Sequence, residues 1–295
     1  MEPAIGESTE ARGRSLYWFA AGALFFLAAL RLLDSRISKE PLQAAPLQPE
    51  RWLSLAQERA GEGKIDEAKA MLAECRRQAG PLSTLRLKAA TLAIELGEWG
   101  PAFRDLRFVF RADPELRGPA AYVAKSTWGE KGGLRLVPAA NPRLLAAYFD
   151  LALQEGWLTE ASQLWERAER EKRPFEPARA RRYIGALWEA DQLAEARKVW
   201  SSLYGGEGIV WNGGFERDLV GWGFGWKTRP QSGVGIRRDE KSASAGKTSL
   251  RVRLGGLSVE TDHVFAEQTI LLTPGGRYEL RAKGRAEEIT GSSGL

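Results

Sequence analysis

The middle of the chain carries glycine, alanine and apolar residues at positions that recur with a fixed period. The first set is Gly63, Ala68 and Leu72, which returns thirty-four residues later as Gly97, Ala102 and Leu106. A related set, thirty-five residues apart, is Tyr148, Leu158, Ala161 and Trp165, then Tyr183, Leu193, Ala196 and Trp200. A period of this length is typical of stacked helical hairpins. The pattern predicts an α-solenoid over residues 50–204, an architecture that binds partners more often than it catalyses reactions.

Each repeat unit is predicted to consist of two antiparallel helices joined by a turn. The first unit covers residues 50–60 and 65–78, and the second covers residues 83–96 and 99–111. A less regular stretch over residues 116–141 follows, because the next turn glycine comes fifty-nine residues after the previous one. The array of repeats is therefore expected to be interrupted.

The spacing of these positions resembles the tetratricopeptide repeat. The tryptophan of that repeat falls on Trp52, eleven residues before the turn glycine Gly63. Further matching positions are the turn glycines Gly97 and Gly156 and the small residues Ala68, Ala102, Ala161 and Ala196. Three positions depart from the repeat, since Asp191 replaces a turn glycine and Phe149 and Ile184 replace small residues. The resemblance implies a helical fold with a groove that binds a protein partner.

Several tryptophans of this helical part lie at helical spacing and are predicted to belong to its core. They are Trp99, Trp157, Trp165, Trp188 and Trp200. Aromatic residues at such spacing usually pack inside, and a ligand-stacking stripe is the alternative.

The N-terminal part contains a long apolar segment, residues 15–33, of nineteen residues. This is close to the ~20 residues that a membrane-spanning helix needs. We expect a single-pass membrane anchor there, preceded by a tail, residues 1–14, and followed by a proline-containing linker, residues 34–49. A cleaved signal peptide is the alternative, disfavoured because no Ala-x-Ala site follows promptly. Basic residues flank the segment on both sides, so the charge distribution leaves its orientation open.

The pattern changes to period two after Gly208. Leu250, Val252 and Leu254 alternate with arginines, and residues 277–283 alternate in the same way around Tyr278. Short strands separated by glycine and proline turns predict an antiparallel β-sandwich with one solvated face. The predicted fold class is thus an N-terminal transmembrane helix, an α-solenoid and an antiparallel jelly-roll-like β-sandwich over residues 207–295. The eighty-eight residues after Glu207 lead us to expect that this sandwich is incomplete.

Three sequence pieces in this part together resemble a carbohydrate-binding module of the galactose-binding-like type. They are residues 212–216 with Gly221-Trp222, residues 246–252, and residues 268–280. The resemblance implies a β-sandwich that binds glycan by stacking an aromatic ring on a sugar. The residues expected to contact glycan are Trp226, Lys227, Arg229 and Arg237. In relatives of this fold a glutamate at the position of Glu216 helps to hold a structural calcium ion, so we name Glu216 as a candidate ligand.

The composition argues against several classes of function. The single histidine, His263, and the single cysteine, Cys75, are too few for an internal disulfide or a zinc site of about four Cys/His ligands. Asp262 cannot orient His263 for nucleophilic catalysis, because neighbouring residues of a strand point to opposite faces. A net charge of +5, spread thinly, gives no stripe for nucleic acid. We expect neither an enzyme nor a cofactor other than calcium.

Two functions remain open from the sequence. The first is a non-catalytic, membrane-anchored envelope protein, with its bulk periplasmic or otherwise extracytoplasmic. Its repeats would dock a protein partner and its β-module would contact glycan, a layout that suits exopolysaccharide synthesis or export. The second is a protein-binding assembly scaffold in which the sandwich is purely structural.

Overall fold

The computed structural model describes residues 48–138, 141–205, 208–255 and 263–288. The predicted tail, the membrane anchor and nearly all of the linker lie outside these described residues. Among the described residues, no helix is both long and apolar enough to cross a membrane. The described chain is helical as far as Tyr204 and continues with a few short strands, which confirms the predicted order of an α part followed by a β part.

Ten helices lie within the described residues. They are α1 (Pro49–Gly61), α2 (Ile65–Ala79), α3 (Ser83–Glu95), α4 (Trp99–Ala112), α5 (Arg117–Trp128), α6 (Glu130–Arg135), α7 (Pro142–Gln154), α8 (Leu158–Arg170), α9 (Pro177–Glu189) and α10 (Leu193–Tyr204). The first four match their predicted bounds to within one residue at each end. The irregular stretch over residues 116–141 contains the helices α5 and α6. The chain divides between Leu151 and Ala152, inside α7, into two compact units.

One turn geometry recurs in the hairpins α1–α2, α3–α4, α7–α8 and α9–α10. The residue at its centre has a φ between 57° and 76°, and these central residues are Gly63, Gly97, Gly156 and Asp191. In each turn the N–H of this residue donates to the carbonyl three residues earlier, and the next N–H donates to the carbonyl five residues earlier. This is the Schellman motif, which satisfies the last carbonyls of a helix. Asp191 keeps the turn because aspartate tolerates the left-handed region better than most residues.

Small residues lie where paired helices pack closely. The predicted positions Ala68, Ala102, Ala161 and Ala196 are all fully buried. In the first unit they belong to a core of alanines and leucines that also contains Ala56 and Cys75. A larger side chain at such a position would force the two helices apart. The repeat-like helical architecture is therefore built on the positions that recur in the sequence.

A buried ion network joins three helices of the first unit. Asp105 of α4 is almost fully buried and accepts hydrogen bonds from Arg76 Nε at 2.7 Å and Arg86 Nη1 at 3.0 Å. Arg76 Nη1 also reaches Glu98 Oε2 at 3.0 Å. Because Arg76 belongs to α2 and Arg86 to α3, one carboxylate ties both helices to α4. The sequence alone does not predict this network.

The second unit adds a cluster of aromatic rings around α10 to its buried alanines. Trp200 of α10 is fully buried, and its ring lies 4.7 Å from Trp222 and 5.8 Å from Trp211 between centroids. Trp211 donates its indole N–H to Gly205 O at 2.9 Å. The segment after the last helix therefore packs directly on that helix, and Trp200 is shared by both.

The predicted core tryptophans of the helices differ in how far they are buried. Trp157, Trp165 and Trp200 are buried, as predicted, and Trp188 is half-buried. Trp99 differs, since 52% of its surface is exposed. Its ring meets Trp128 edge-on with centroids 6.3 Å apart. Trp99 is the first residue of α4, where the end of a helix leaves less protein to cover a large ring.

The β region contains four short strands within the described residues. They are β1 (Lys227–Thr228), β2 (Val234–Asp239), β3 (Ser249–Leu254) and β4 (Ala266–Glu267). β2 pairs with β3, and β1 pairs with β4, both antiparallel. The alternating pattern over residues 277–283 forms no strand, and its Leu280 is 82% exposed. Alternation alone does not make a strand, because a strand also needs a neighbour to receive its hydrogen bonds.

Candidate functional site

The segment over residues 208–226 folds around the side chain of Asn212. The Asn212 amide donates from Nδ2 to Arg217 O at 2.8 Å, and its Oδ1 accepts from Arg217 N at 2.9 Å. The Asn212 carbonyl accepts the indole N–H of Trp226 at 3.1 Å. Asn212 has a φ of 52°, a left-handed conformation that asparagine adopts more readily than most residues. The motif Asn212-Gly213-Gly214 therefore closes a loop of defined shape.

Glu216 joins this loop to the glycine turn before β3. Its Oε1 accepts from the backbone N–H groups of Lys247 at 2.8 Å and Thr248 at 3.1 Å. The Thr248 hydroxyl donates to Phe215 O at 2.7 Å. These hydrogen bonds, first that from Lys247, lower the pKa of Glu216 because they favour the charged carboxylate. Gly246 is needed beside them, since a Cβ there would lie 2.1 Å from Glu216 Oε1 and its φ is 73°.

Two further contacts complete the connection among the three motif pieces. Gln268 donates from its amide to Trp211 O at 2.8 Å, which ties the third piece to the residue immediately before the first piece. Arg238 of β2 donates from Nε to Phe215 O at 2.8 Å and pairs with Asp218 at 2.6 Å. The sequence pieces that resemble a carbohydrate-binding module are thus brought together in space by hydrogen bonds.

Three of the residues expected to contact glycan have internal partners. Trp226 is half-buried and its ring packs against Phe215 with centroids 5.2 Å apart. The Lys227 ammonium lies 5.8 Å from the ring centroid of Trp188, within the range of a cation–π interaction. The Arg229 guanidinium pairs with Glu267 Oε1 at 2.8 Å. Each of these side chains therefore contacts another part of the fold, Trp226 and Arg229 within the β region and Lys227 on helix α9.

Arg237, the fourth expected residue, lies on the exposed face of the β2–β3 ladder. The register places it directly opposite Arg251, and places Gly235 opposite Arg253. All three arginines are exposed, and side chains two residues apart on a strand share a face. The alternation of Arg251 and Arg253 is visible in the sequence, but the pairing of Arg251 with Arg237 is not. Only the register of the hairpin brings the three together.

The described residues offer a limited set of ligands for the predicted calcium ion. No three His, Cys, Asp or Glu side chains of the described chain come together as a metal site. Glu216 Oε1 already accepts from two N–H groups, whose partial positive charges oppose a cation at that oxygen. Calcium binding at Glu216 stays a prediction.

The helical part of the second unit contains a cavity of about 370 Å³. Its walls come from α8, from the connection to α9 and from the end of α10. The lining residues are Trp165, Ala168, Glu169, Pro174, Phe175, Ser202 and Leu203. Trp165 and Phe175 are buried at its base, and Glu169, Pro174 and Ser202 are exposed at its rim. A mostly apolar cavity with a polar rim suits a hydrophobic side chain from a binding partner.

Cys75 is buried, and His263 contacts neighbouring residues of the β region. Cys75 is fully buried, and burial raises the pKa of its thiol to about 11, so the thiol stays protonated and unreactive at neutral pH. The His263 ring contacts Arg229 O through Nε2 at 2.8 Å and meets the Phe265 ring edge-on. Neither residue is placed beside a second catalytic group in the contacts described.

Comparison with protein-family models, with curated proteins and with solved structures finds no match to this chain.

Proposed function

We propose that the chain is a non-catalytic, membrane-anchored adaptor whose helical repeats dock a protein partner and whose β region contacts glycan. The observation that carries the docking part is the recurrence of one Schellman turn in four helical hairpins. Helical hairpins of this kind commonly serve as binding surfaces for protein partners. The apolar cavity at Trp165 and Phe175 gives that surface a place for a hydrophobic anchor.

We propose further that the helical repeats are of the tetratricopeptide type. Trp52 packs against the core of the first unit, and the four alanines of the repeat pattern are fully buried. These are the places where that repeat needs a large apolar and a small residue. They support the assignment together with the turn geometry.

We also propose that the β region is a sandwich like that of a carbohydrate-binding module. It is supported by the hydrogen bonds that join the three motif pieces, Glu216 to Lys247 and Thr248, and Gln268 to Trp211. The glycan surface would use Trp226, Lys227, Arg229 and Arg237. Calcium at Glu216 belongs to the same hypothesis.

The localisation belongs to the proposal as well. Residues 15–33 would anchor the chain, with its bulk periplasmic or otherwise extracytoplasmic, in a system for surface-polysaccharide synthesis or export. Fusion of alkaline phosphatase after Leu295, compared with a reporter that is active only in the cytoplasm, tests this topology. Phosphatase activity supports it, and activity of the cytoplasmic reporter contradicts it.

Partner docking is tested by site-specific photocrosslinking in cells. A benzophenone amino acid at Ser202, on the cavity rim, is expected to form a discrete adduct with one protein. The same probe at exposed Lys241 in the β region serves as the matched control. Adduct formation at Ser202 that is abolished by Phe175→Ala supports docking in the cavity, and equal labelling at both positions contradicts it.

A second function is favoured by one specific observation. Trp200 packs on Trp211 and Trp222, so the start of the β region covers the end of the last helical hairpin. This favours a protein-binding scaffold whose β region is a structural cap. Binding to immobilised polysaccharides separates the two functions. Loss of glycan binding in a folded Trp226→Ala variant supports the adaptor, and a wild-type chain that binds no glycan supports the scaffold.

A further inference from the structure

The exposed face of the β2–β3 hairpin concentrates positive charge. Arg237 and Arg251 are directly opposite each other, a placement in which Cβ atoms lie about 5 Å apart. Arg253 is the next residue on the same face of β3, opposite Gly235. The nearest acidic group described there is Asp239, whose Oδ2 lies 3.7 Å from Arg251 Nη1.

This arrangement costs stability unless something compensates it. Like charges directly opposite on a ladder repel each other, and the largely buried Asp239 forms an ion pair with Arg251 alone of the three arginines. Arg237 and Arg253 are exposed, and no ion pair within the described residues engages either of them. The opposite face of β3, by contrast, carries Leu250 and Val252, which are half-buried.

The geometry points to a binding surface for an acidic polysaccharide on the face formed by Arg237, Arg251 and Arg253. Guanidinium groups bind carboxylates through two parallel hydrogen bonds and stay charged at every physiological pH. Gly235 lacks a side chain, so the space beside Arg253 is open to a chain lying along the hairpin. The ligand class is therefore a polyuronate, whose carboxylates repeat along an extended polymer. This inference rests on the proposed contact of the β region with glycan and names the chemistry of that glycan.

The surface differs from the one expected around Trp226. Trp226, Lys227 and Arg229 contact Phe215, Trp188 and Glu267 respectively, whereas the three arginines of the hairpin face solvent. Recognition by charge on the hairpin and recognition by ring stacking at Trp226 are therefore separable by mutation.

The test is affinity electrophoresis of the full-length chain in detergent, through gels that contain polygalacturonate or its fully methyl-esterified form. The two polymers share a backbone and differ in charge. We expect retardation by polygalacturonate only. The triple variant Arg237→Gln, Arg251→Gln, Arg253→Gln is expected to bind about tenfold or more weakly, since each exposed ion pair contributes modestly. Its melting temperature is expected to be unchanged or higher, because the opposed charges are removed.

The matched control removes the same charge elsewhere in the β region. The variant Arg277→Gln, Arg281→Gln, Arg285→Gln alters three exposed arginines and is expected to bind polygalacturonate as the wild type does. Equal weakening in both triple variants would show attraction by net charge and would overturn the inference. Equally tight binding of a twenty-nucleotide single-stranded DNA, lost in the same hairpin variant, would assign the face to nucleic acid and overturn it as well.

Failure of the inference is distinguishable from failure of the proposed function. Suppose that a neutral polysaccharide retains the wild-type chain but not the Trp226→Ala variant, and that the hairpin variant binds polygalacturonate as the wild type does. This result overturns the inference and leaves the adaptor function. The absence of binding to every polysaccharide, neutral or acidic, overturns both.

Discussion

The hairpins α1–α4 and the region around α10 are both built on close packing, but they use different chemistry. In the first region alanines and leucines fill the core, and Asp105 holds Arg76 and Arg86. Around α10 the core is Trp200 with other aromatic rings from residues 211–224. Alanines let two regular helices approach closely at a fixed period. Large rings fill the irregular space between a helix and a chain with little regular structure.

The difference explains why the helix contacts of the hairpins could be predicted from the sequence, whereas the contacts of the aromatic core could not. A helical hairpin repeats its contacts every thirty-four residues, so the sequence repeats the residues that make them. Trp200 lies at a recurring position, but its partners Trp211, Trp222 and Phe224 come from a loop and follow no period. The two regions should therefore fail in different ways when their central residues are changed.

The largest effect is expected for Trp200→Ala. It removes a fully buried ring with four aromatic neighbours, and such a change destabilises by about 3–5 kcal/mol. Urea unfolding followed by near-UV circular dichroism measures this free energy. Trp99→Ala is the matched control, because Trp99 is 52% exposed, and it should cost far less. Equal effects of the two substitutions would contradict the aromatic core.

The next effect is expected for Asp105→Ala in the alanine-rich region. It leaves Arg76 and Arg86 without their shared carboxylate, and the loss is expected to be about 2–3 kcal/mol because both arginines can partly reach water. Urea unfolding followed by far-UV circular dichroism gives the value. Asp66→Ala, at the exposed start of α2, is the control. A loss below that of the control would mean that the network contributes nothing to stability.

Substitutions in the repeated turn are expected to change stability less, with opposite signs at Gly97 and Asp191. Gly97→Ala places a side chain at a φ of 74° where no neighbouring atom would be met, so only backbone strain of about 1–2 kcal/mol is expected. Asp191→Gly, at a φ of 57°, should stabilise the corresponding turn by up to about 1 kcal/mol. Thermal unfolding of both variants measures the shifts. Shifts of the same sign would contradict a common turn geometry.

The smallest effect concerns Glu216 and depends on pH. Its pKa is lowered in the folded chain, so the charged carboxylate stabilises the fold above its ordinary pKa of 4.5, and this contribution is lost as the pH falls through the lowered folded value. Glu216→Gln should therefore melt below the wild type at pH 7 and approach it as the pH falls below 4.5. A difference that stays constant from pH 7 to pH 3 would contradict the role of the charge.

Much of the helical part could be predicted because its signals are local. The glycines at Gly63, Gly97 and Gly156 marked turns, and the recurring alanines marked helix contacts. Asp191 was placed at the fourth turn position although it is not a glycine, and its backbone adopts the same turn geometry. The predicted strand over residues 277–283 did not form, because the pattern specified a face but not a neighbour.

The site could be predicted only in part. Trp226, Lys227 and Arg229 were chosen for their chemistry, yet the structure engages them with Phe215, Trp188 and Glu267. Arg237 was predicted to contact glycan, but Arg251 and Arg253 were not. Its pairing with Arg251 depends on the register of β2 against β3, which a sequence of alternating residues does not fix by itself.

The sequence by itself determined the order of an α part and a β part, the bounds of the first four helices and the residues at the tightest helix contacts. These follow from periodicity and backbone preference, which act over a few residues. The tertiary structure decided the partners of Asp105, Glu216 and Trp200 and the meeting of the three hairpin arginines. Such contacts join residues far apart in the chain, so their energies depend on how complete elements pack, and no local pattern records that.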